Sequence, residues 1–443
     1  MIYRWIFLSS MLVSQIACAK DLIGLNLENV LEQRFLNDRT GACIAAGMIE
    51  GKQVGKAFFC ADPNQSRSHD SSSRFEIGSI TKPMLGILWA KEIEQGHFSL
   101  DTPLTDLLPK GVSVPGFAGQ PILMKHLLTH TSGLPSIPAQ MQLIDPQDPY
   151  ASITEEQLLA SLSDINLSYA PGEMFSYSNF GAILLSWAYS SYRQRPFDEL
   201  IKEELFAPLN MNQAGIGGDA VQGHMSTGQA TSWWNFPTNM AGVGGVRASL
   251  DDMLKFSQAY LDQNPVIPER TRDIILQTSS GNILGWFWMH IPYQDSTIMI
   301  HEGGTGGFSS LVAIHHESER AVVLLSDTSL SNLQGLSSVA LHLFRITADP
   351  GKPRLPAKPS ESLLQSLQGE YILQGGMKVS LSVENGALWI QAEGQERLQL
   401  LYDSHGDFYP LELDALLRPL ATESGYEFIW FQGGGAIPAD RLD

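Results

Sequence analysis

At 443 residues the chain is longer than one hydrophobic core ordinarily organises, so a larger unit with a smaller companion is expected. Acidic residues outnumber basic ones 47 to 28, and a net charge of −19 with no offsetting basic patch repels phosphate backbones, which argues against a nucleic-acid partner. A charged share of 17% beside 43% apolar residues is that of a folded soluble protein, neither disordered nor fibrous.

The chain opens on an address. Arg4, the largely apolar run Ile6 to Val13 and the small-x-small Ala17-Cys18-Ala19 predict a signal peptide over 1–19, cleaved to start the mature chain at Lys20 in a secreted or periplasmic setting. Gln15 stands where a lipoprotein signal carries an aliphatic residue, which disfavours lipidation of Cys18. No later segment approaches the roughly 20 apolar residues of a membrane-spanning helix, so no stable membrane insertion is expected.

Cys43 to Ile49 and Val54 to Cys60 flank Glu50-Gly51-Lys52-Gln53, a hairpin signal. With Gly51-Lys52 as the two-residue loop, Glu50 faces Gln53, and counting outward brings Cys43 opposite Cys60 at a non-hydrogen-bonded pair. The short Cα separation of such a pair and an oxidising compartment predict a Cys43–Cys60 disulfide.

Next, Phe75 to Ser79 reads as a strand or loop that delivers Ser79 to a helix whose apolar positions are Met84, Leu85, Leu88 and Ile93. Pro83 forfeits only the intrahelical bond to the Ser79 carbonyl, which leaves Ser79 at the helix N-terminus, where free amides and the helix dipole favour negative charge. From Leu85 to Leu276 the pattern is mostly helical, with long loops; Thr297 to His301, Phe308 to Ile314 and Ala321 to Leu325 then read as antiparallel strands. Pro350, Pro353, Pro356 and Pro359 recur at the polyproline period and predict a linker over 348–362. Beyond it, Lys378 to Val383, Ala387 to Gln391, Arg397 to Tyr402 and Tyr426 to Phe431 predict a β-rich module over 363–443. The expected fold is therefore α/β of the α+β type: an antiparallel sheet flanked by helices, with an inserted helical region, over 20–347, plus a small C-terminal all-β module.

A serine hydroxyl needs a group to take its proton, and a lysine three residues on along a helix lies on the same face; Ser79-Ile80-Thr81-Lys82 provides both. Downstream stand Tyr177-Ser178-Asn179, after Pro171-Gly172-Glu173, and His301-Glu302-Gly303-Gly304 at the end of a strand. In order and spacing these three elements resemble the serine β-lactamase and penicillin-binding protein superfamily, in its branch of class C β-lactamases, DD-peptidases, D-aminopeptidases and related esterases. Leu127 to Pro135 (LLTHTSGLP) and Ala241 to Ala248 (AGVGGVRA) reinforce the likeness, which runs from about Leu22 to Arg345; the C-terminal module resembles a lipocalin-like or β-barrel appendage.

That resemblance implies an acyl-enzyme on Ser79 formed from a small-molecule or peptide substrate, an amide or ester, with Lys82 and Tyr177 sharing the proton traffic and the choice of base between them left open. It also implies that Asn179 bonds Lys82 and the substrate, and that the N–H groups of Ser79 and Gly304, the latter after Gly303, hold the oxyanion. A cationic Lys82 would lower the Tyr177 pKa toward the working pH. Where β-lactamases of the class carry Lys-Thr-Gly, this chain has His301 and Glu302; a histidine can be cationic or pass protons, but a carboxylate repels a substrate carboxylate unless it turns away, which leans against an efficient β-lactamase. A β-lactamase proper and a non-catalytic binding member are the alternatives. No His-Glu-x-x-His, cysteine pair of metal spacing, Gly-x-Ser-x-Gly elbow or dinucleotide glycine motif occurs, so neither metal nor cofactor is expected. His130 reads as a structural residue, His315-His316-Glu317 as a polar turn, and Trp233-Trp234 equally as cleft lining or packing anchors.

Overall fold

The protein is described by a computed structural model covering residues 26–62, 67–141, 145, 147–333, 335–422, 425–432 and 435–442. The expected signal peptide over 1–19, with Cys18, lies outside these residues. Among the described residues no helix is long and apolar enough to cross a membrane.

An eight-stranded antiparallel sheet forms the frame, in the spatial order Leu276–Gln277, Ile283–Gly285, Trp288–Tyr293, Ser296–Gly304, Ser309–His315, Arg320–Ser326, Cys43–Glu50 and Gln53–Cys60. The N-terminal hairpin thus pairs with strands from late in the chain, and everything between them is inserted. In the hairpin Glu50 faces Gln53 and Cys43 faces Cys60, and the two cysteines form the expected disulfide with Cα atoms 4.0 Å apart.

Both faces of the sheet are covered, and the two-residue side-chain period sorts the strands between two cores. Ala321, Val323 and Leu325 join Met84, Leu88 and Phe180 of the helices Thr81–Glu94 and Asn179–Arg193, while Val322 and Leu324 join the opposite layer. That layer holds Leu27, Val30, Leu31 and Phe35, the apolar stripe of a helix over 26–35, together with the helix Ser337–Leu343.

The C-terminal module closes into a barrel of eight antiparallel strands, because Leu398–Asp403 pairs with Phe408–Tyr409 as well as with Ala387–Ala392. It is not all β: the helix Glu361–Leu367 starts inside the proline-rich stretch, capped by Ser360, and buries Leu364 and Leu367 in the barrel core. Nor is that stretch a free spacer. Pro356–Ala357 pairs with Leu398–Asp403, and the buried Arg354 donates to Asp403 and Asp407 at 2.9 and 2.8 Å while its backbone N–H reaches Asp38 at 2.8 Å. Tyr409 and Leu416 complete the packing by entering the core on one face of the eight-stranded sheet.

Candidate active site

Neighbouring backbone holds the Ser79 segment in place. Strand Arg74–Glu76 pairs with Val246–Ser249 and leads into the 3-10 turn Gly78–Ile80, which runs directly into the helix Thr81–Glu94. Gly78 takes a φ of +48°, and a Cβ there would stand 2.7 Å from the Gly304 nitrogen; one at Gly303 would stand 2.1 Å from the Ile77 carbonyl oxygen. Both positions require glycine because the serine turn lies against the end of strand Ser296–Gly304. Thr81 Oγ1 pins the turn, donating to the Gly78 carbonyl at 2.7 Å and accepting from the Val246 N–H at 3.2 Å. No side chain caps the helix, so the positive end of its dipole stays available beside Ser79.

Lys82 is fully buried, and its Nζ donates to Ser79 Oγ and to the Val243 carbonyl, each at 2.7 Å. Burial alone holds its pKa well below the usual 10.5. Tyr177 shares a hydrogen bond with Ser79 and carries its ring 5.0 Å from Lys82 Nζ, yet burial pushes its pKa above the ordinary phenol value. Burial thus works against the phenolate that the resemblance implies. The dry pocket disfavours the charged form of both groups.

Asn179 departs from expectation too. Its Nδ2 donates to Tyr150 at 2.9 Å rather than pairing with Lys82, and its Oδ1 is buried without a partner among the described residues. His301 lies on the sheet face toward Lys82, with Nδ1 2.7 Å from the Glu302 carbonyl; burial, aided by Lys82, lowers its pKa to about 3. It is a neutral imidazole, not a cationic substitute for lysine. Glu302 points to the opposite face, where it accepts a hydrogen bond from Ser337 at the head of the helix Ser337–Leu343.

Two hollows meet this group. Ser79 opens on a cleft of about 560 Å³ walled by Tyr150, Asn179, Trp234 and Phe236 and, from the barrel, by Glu412 and Asp414. Behind Tyr177, His301 and Glu302 lies a more apolar cavity of about 380 Å³ faced by Phe287, Trp288 and Ile300. The cavity takes its lining from Tyr177 and His301 on one side and from Glu302 and Ser337 on the other. Asp414 is held by Ser226 and Ser329 at 2.5 and 2.9 Å, which fixes the barrel loop in the cleft wall.

The tryptophan pair divides its duties. Trp234 lines the cleft, its N–H bonded to Glu76 at 2.9 Å and its carbonyl to Arg247 at 3.0 Å; Trp233 anchors the loop, with Arg247 5.1 Å from its ring and Nε1 donating to the Val221 carbonyl at 3.0 Å. Residues 316–319 form the expected turn. Cys43, His69 and Asp327 bring ligand-type atoms within 4.8 Å of one another, but the cysteine sulfur is spent in the disulfide and Arg67 neutralises Asp327. The sequence reading missed Tyr150, Val243 and the barrel loop, whose roles come from contacts between distant segments.

A profile of the β-lactamase family matches residues 31–337. The D-alanyl-D-alanine-carboxypeptidase/endopeptidase AmpH of Escherichia coli K12 is 27% identical over 363 residues, which is 74% of this chain and 94% of that relative. The crystal structure of a β-lactamase/D-alanine carboxypeptidase from Yersinia pestis, complexed with citrate, is 26% identical, covers 72% of this chain and 98% of its own, and superposes with a TM-score of 0.60. A penicillin-binding protein homologue from Pyrococcus abyssi, octameric in its structure, shares the fold over 97% of this chain and 100% of its own at 20% identity and a TM-score of 0.60. With a family match that spans most of the chain and a serine-lysine pair at the head of its helix, this protein belongs to the β-lactamase family of serine hydrolases.

Proposed function

We propose that the protein cleaves an amide or ester through an acyl-enzyme on Ser79. The observation that carries this is the 2.7 Å contact between Ser79 Oγ and a fully buried Lys82 whose pKa is lowered by burial. As a free amine Lys82 takes the Ser79 proton while Oγ bonds the substrate carbonyl carbon. The oxyanion is received by the N–H groups of Ser79 and Gly304, each such donor contributing about 3 kcal/mol. Collapse expels the leaving amine or alcohol, which collects its proton from Lys82 by way of the Tyr177 hydroxyl. Water then attacks the acyl ester along the same relay, releasing a carboxylic acid and restoring the Ser79 hydroxyl.

The leaving group is uncharged in this reading. Neutral His301 and the Glu302 carboxylate offer no cation to a substrate carboxylate, and the cavity they share is faced by apolar side chains. Amides and esters with neutral leaving groups are favoured over β-lactams and over peptides ending in a free carboxylate, although relatives such as AmpH are named for D-alanyl-D-alanine carboxypeptidase activity. The protein acts after export: residues 1–19 have the signal-peptide pattern, and the Cys43–Cys60 disulfide suits an oxidising compartment.

A fluorophosphonate probe should label Ser79 and leave Ser79→Ala unlabelled. A panel of nitrocefin, a D-Ala-D-Ala peptide, a D-amino-acid amide and a p-nitrophenyl ester should then rank the last two first. A folded native protein that no probe labels would sink the acyl-enzyme; nitrocefin turned over fastest would sink the leaving-group preference.

A further inference from the structure

We propose that His130 is a positioning residue for Tyr177, gripping it through backbone, ring nitrogen and ring face; this rests on the reading of Tyr177 as proton relay. The His130 carbonyl accepts from the Ser176 N–H at 2.8 Å, and His130 Nδ1 accepts from the Ser178 N–H at 3.2 Å. One residue thus holds the main chain on both sides of Tyr177. Its ring lies against the tyrosine ring, with centroids 4.2 Å apart and planes 33° from parallel. Phe287 backs the imidazole at 5.3 Å, and Phe175 meets it edge-on at 6.2 Å.

The backbone is strained to make this grip. His130 sits at φ +53° and Phe287 at φ +69°, both in the left-handed region that non-glycine residues seldom occupy, and the Phe287 N–H is fastened to the Leu128 carbonyl at 2.6 Å. The next residue adds a further tie, the Thr131 carbonyl accepting from the Gly172 N–H at 2.7 Å. The segment after Leu128 and the segment before Asn179 are therefore zipped together along the length of the tyrosine motif.

Histidine suits the position because three demands coincide there. The site asks for an aromatic face, an in-plane acceptor at the Nδ1 position and tolerance of a left-handed backbone. Asparagine supplies the last two without the face; phenylalanine supplies the face without the acceptor. Because Nδ1 accepts, the ring proton sits on Nε2, a buried atom with no hydrogen-bond partner among the described residues. A generic core histidine would have no need to bond both flanks of one tyrosine.

The Tyr177 hydroxyl must stay in register with Ser79 for proton transfer; both rings face the apolar cavity behind it, and neither lines the cleft where Ser79 opens. Loss of the grip should therefore act on kcat more than on KM. The experiment compares His130→Ala, His130→Asn and His130→Phe on a p-nitrophenyl ester, with rates divided by the fraction of sites a fluorophosphonate can label. The expected result is a per-site kcat lowered about tenfold or more in the alanine and phenylalanine variants, KM within about threefold, and recovery of part of the loss in asparagine. A per-site kcat within about twofold of native in the alanine variant, or a loss matched by lost labelled sites, overturns the proposal. If the alanine variant does not fold, native-like per-site kcat in the phenylalanine variant overturns it instead. A native protein that is not labelled at all fails the Ser79 reading, and this one with it.

Discussion

Lys82 Nζ is held from two directions, by Ser79 Oγ and by the Val243 carbonyl, both at 2.7 Å, and burial rather than a carboxylate sets its charge. A base must be unprotonated to act. The rate of acylation should therefore rise with pH through the lowered Lys82 pKa, well below 10.5, and then level off, because Tyr177 is pushed the other way and keeps its proton. A pH profile of kcat/KM on a neutral ester checks this, and highest activity on the acid side would contradict it. Lys82→Met should lower kcat/KM by about a thousandfold at the plateau.

Glu302 offers a reversal of preference. Glu302→Thr removes a carboxyl group, whose charge burial disfavours, from the rim of the apolar cavity and leaves Ser337 free to bond a carboxylate. The ratio of kcat/KM for a D-Ala-D-Ala peptide over a D-amino-acid amide should rise about fivefold or more, equivalent to about 1 kcal/mol. An unchanged ratio would mean that the leaving group binds elsewhere.

Acid should loosen the fold through its histidines. Burial lowers His126 and His290 to about 4 and His301 to about 3, against 6.5 in the unfolded chain. Between pH 6.5 and those values the unfolded chain binds protons that the folded protein does not, so stability is full above 6.5 and falls as pH drops through the window, on the order of 3–5 kcal/mol per histidine. His290→Gln, which can still bond Thr297, should flatten the fall in urea midpoint between pH 7 and 4 by about one proton.

Arg354 locks the barrel to the rest of the chain. Arg354→Ala leaves Asp407 with Arg418 and Asp403 with Arg39, and strips a guanidinium from between two buried carboxylates. A loss of about 3–5 kcal/mol is expected, and calorimetry should show the barrel melting ahead of the catalytic unit. A single transition at the native temperature would show the lock to be dispensable.

Local patterns in the sequence carried much of this. The register of the hairpin follows from a two-residue loop and counting, and the barrel strands Lys378–Glu384, Ala387–Ala392, Leu398–Asp403 and Gly425–Gln432 lie where alternating runs stand between turn residues. Ser79 and Lys82 are legible because one helical turn separates them. Strands Ile283–Gly285 and Trp288–Tyr293 were missed: between them Trp286 and Phe287 take positive φ, which breaks the two-residue period just where apolar residues crowd. The helix Glu361–Leu367 hid behind prolines. The bond from Asn179 to Tyr150 and the protonation of Lys82, Tyr177 and His301 depend on which groups a folded chain shields from water, and spacing says nothing about that.

Glu412 and Asp414 face the same cleft as Ser79 although they belong to the last stretch of the chain. The reaction machinery and one wall of its cleft thus come from parts of the chain far apart in sequence. Recombination that swapped only the C-terminal barrel between relatives would change which acyl groups enter while leaving nucleophile, amine and phenol untouched. A stop codon after the helix Ser337–Leu343 would have another effect: it would open one wall of the cleft and strip Tyr409 and Leu416 from the core beneath the sheet.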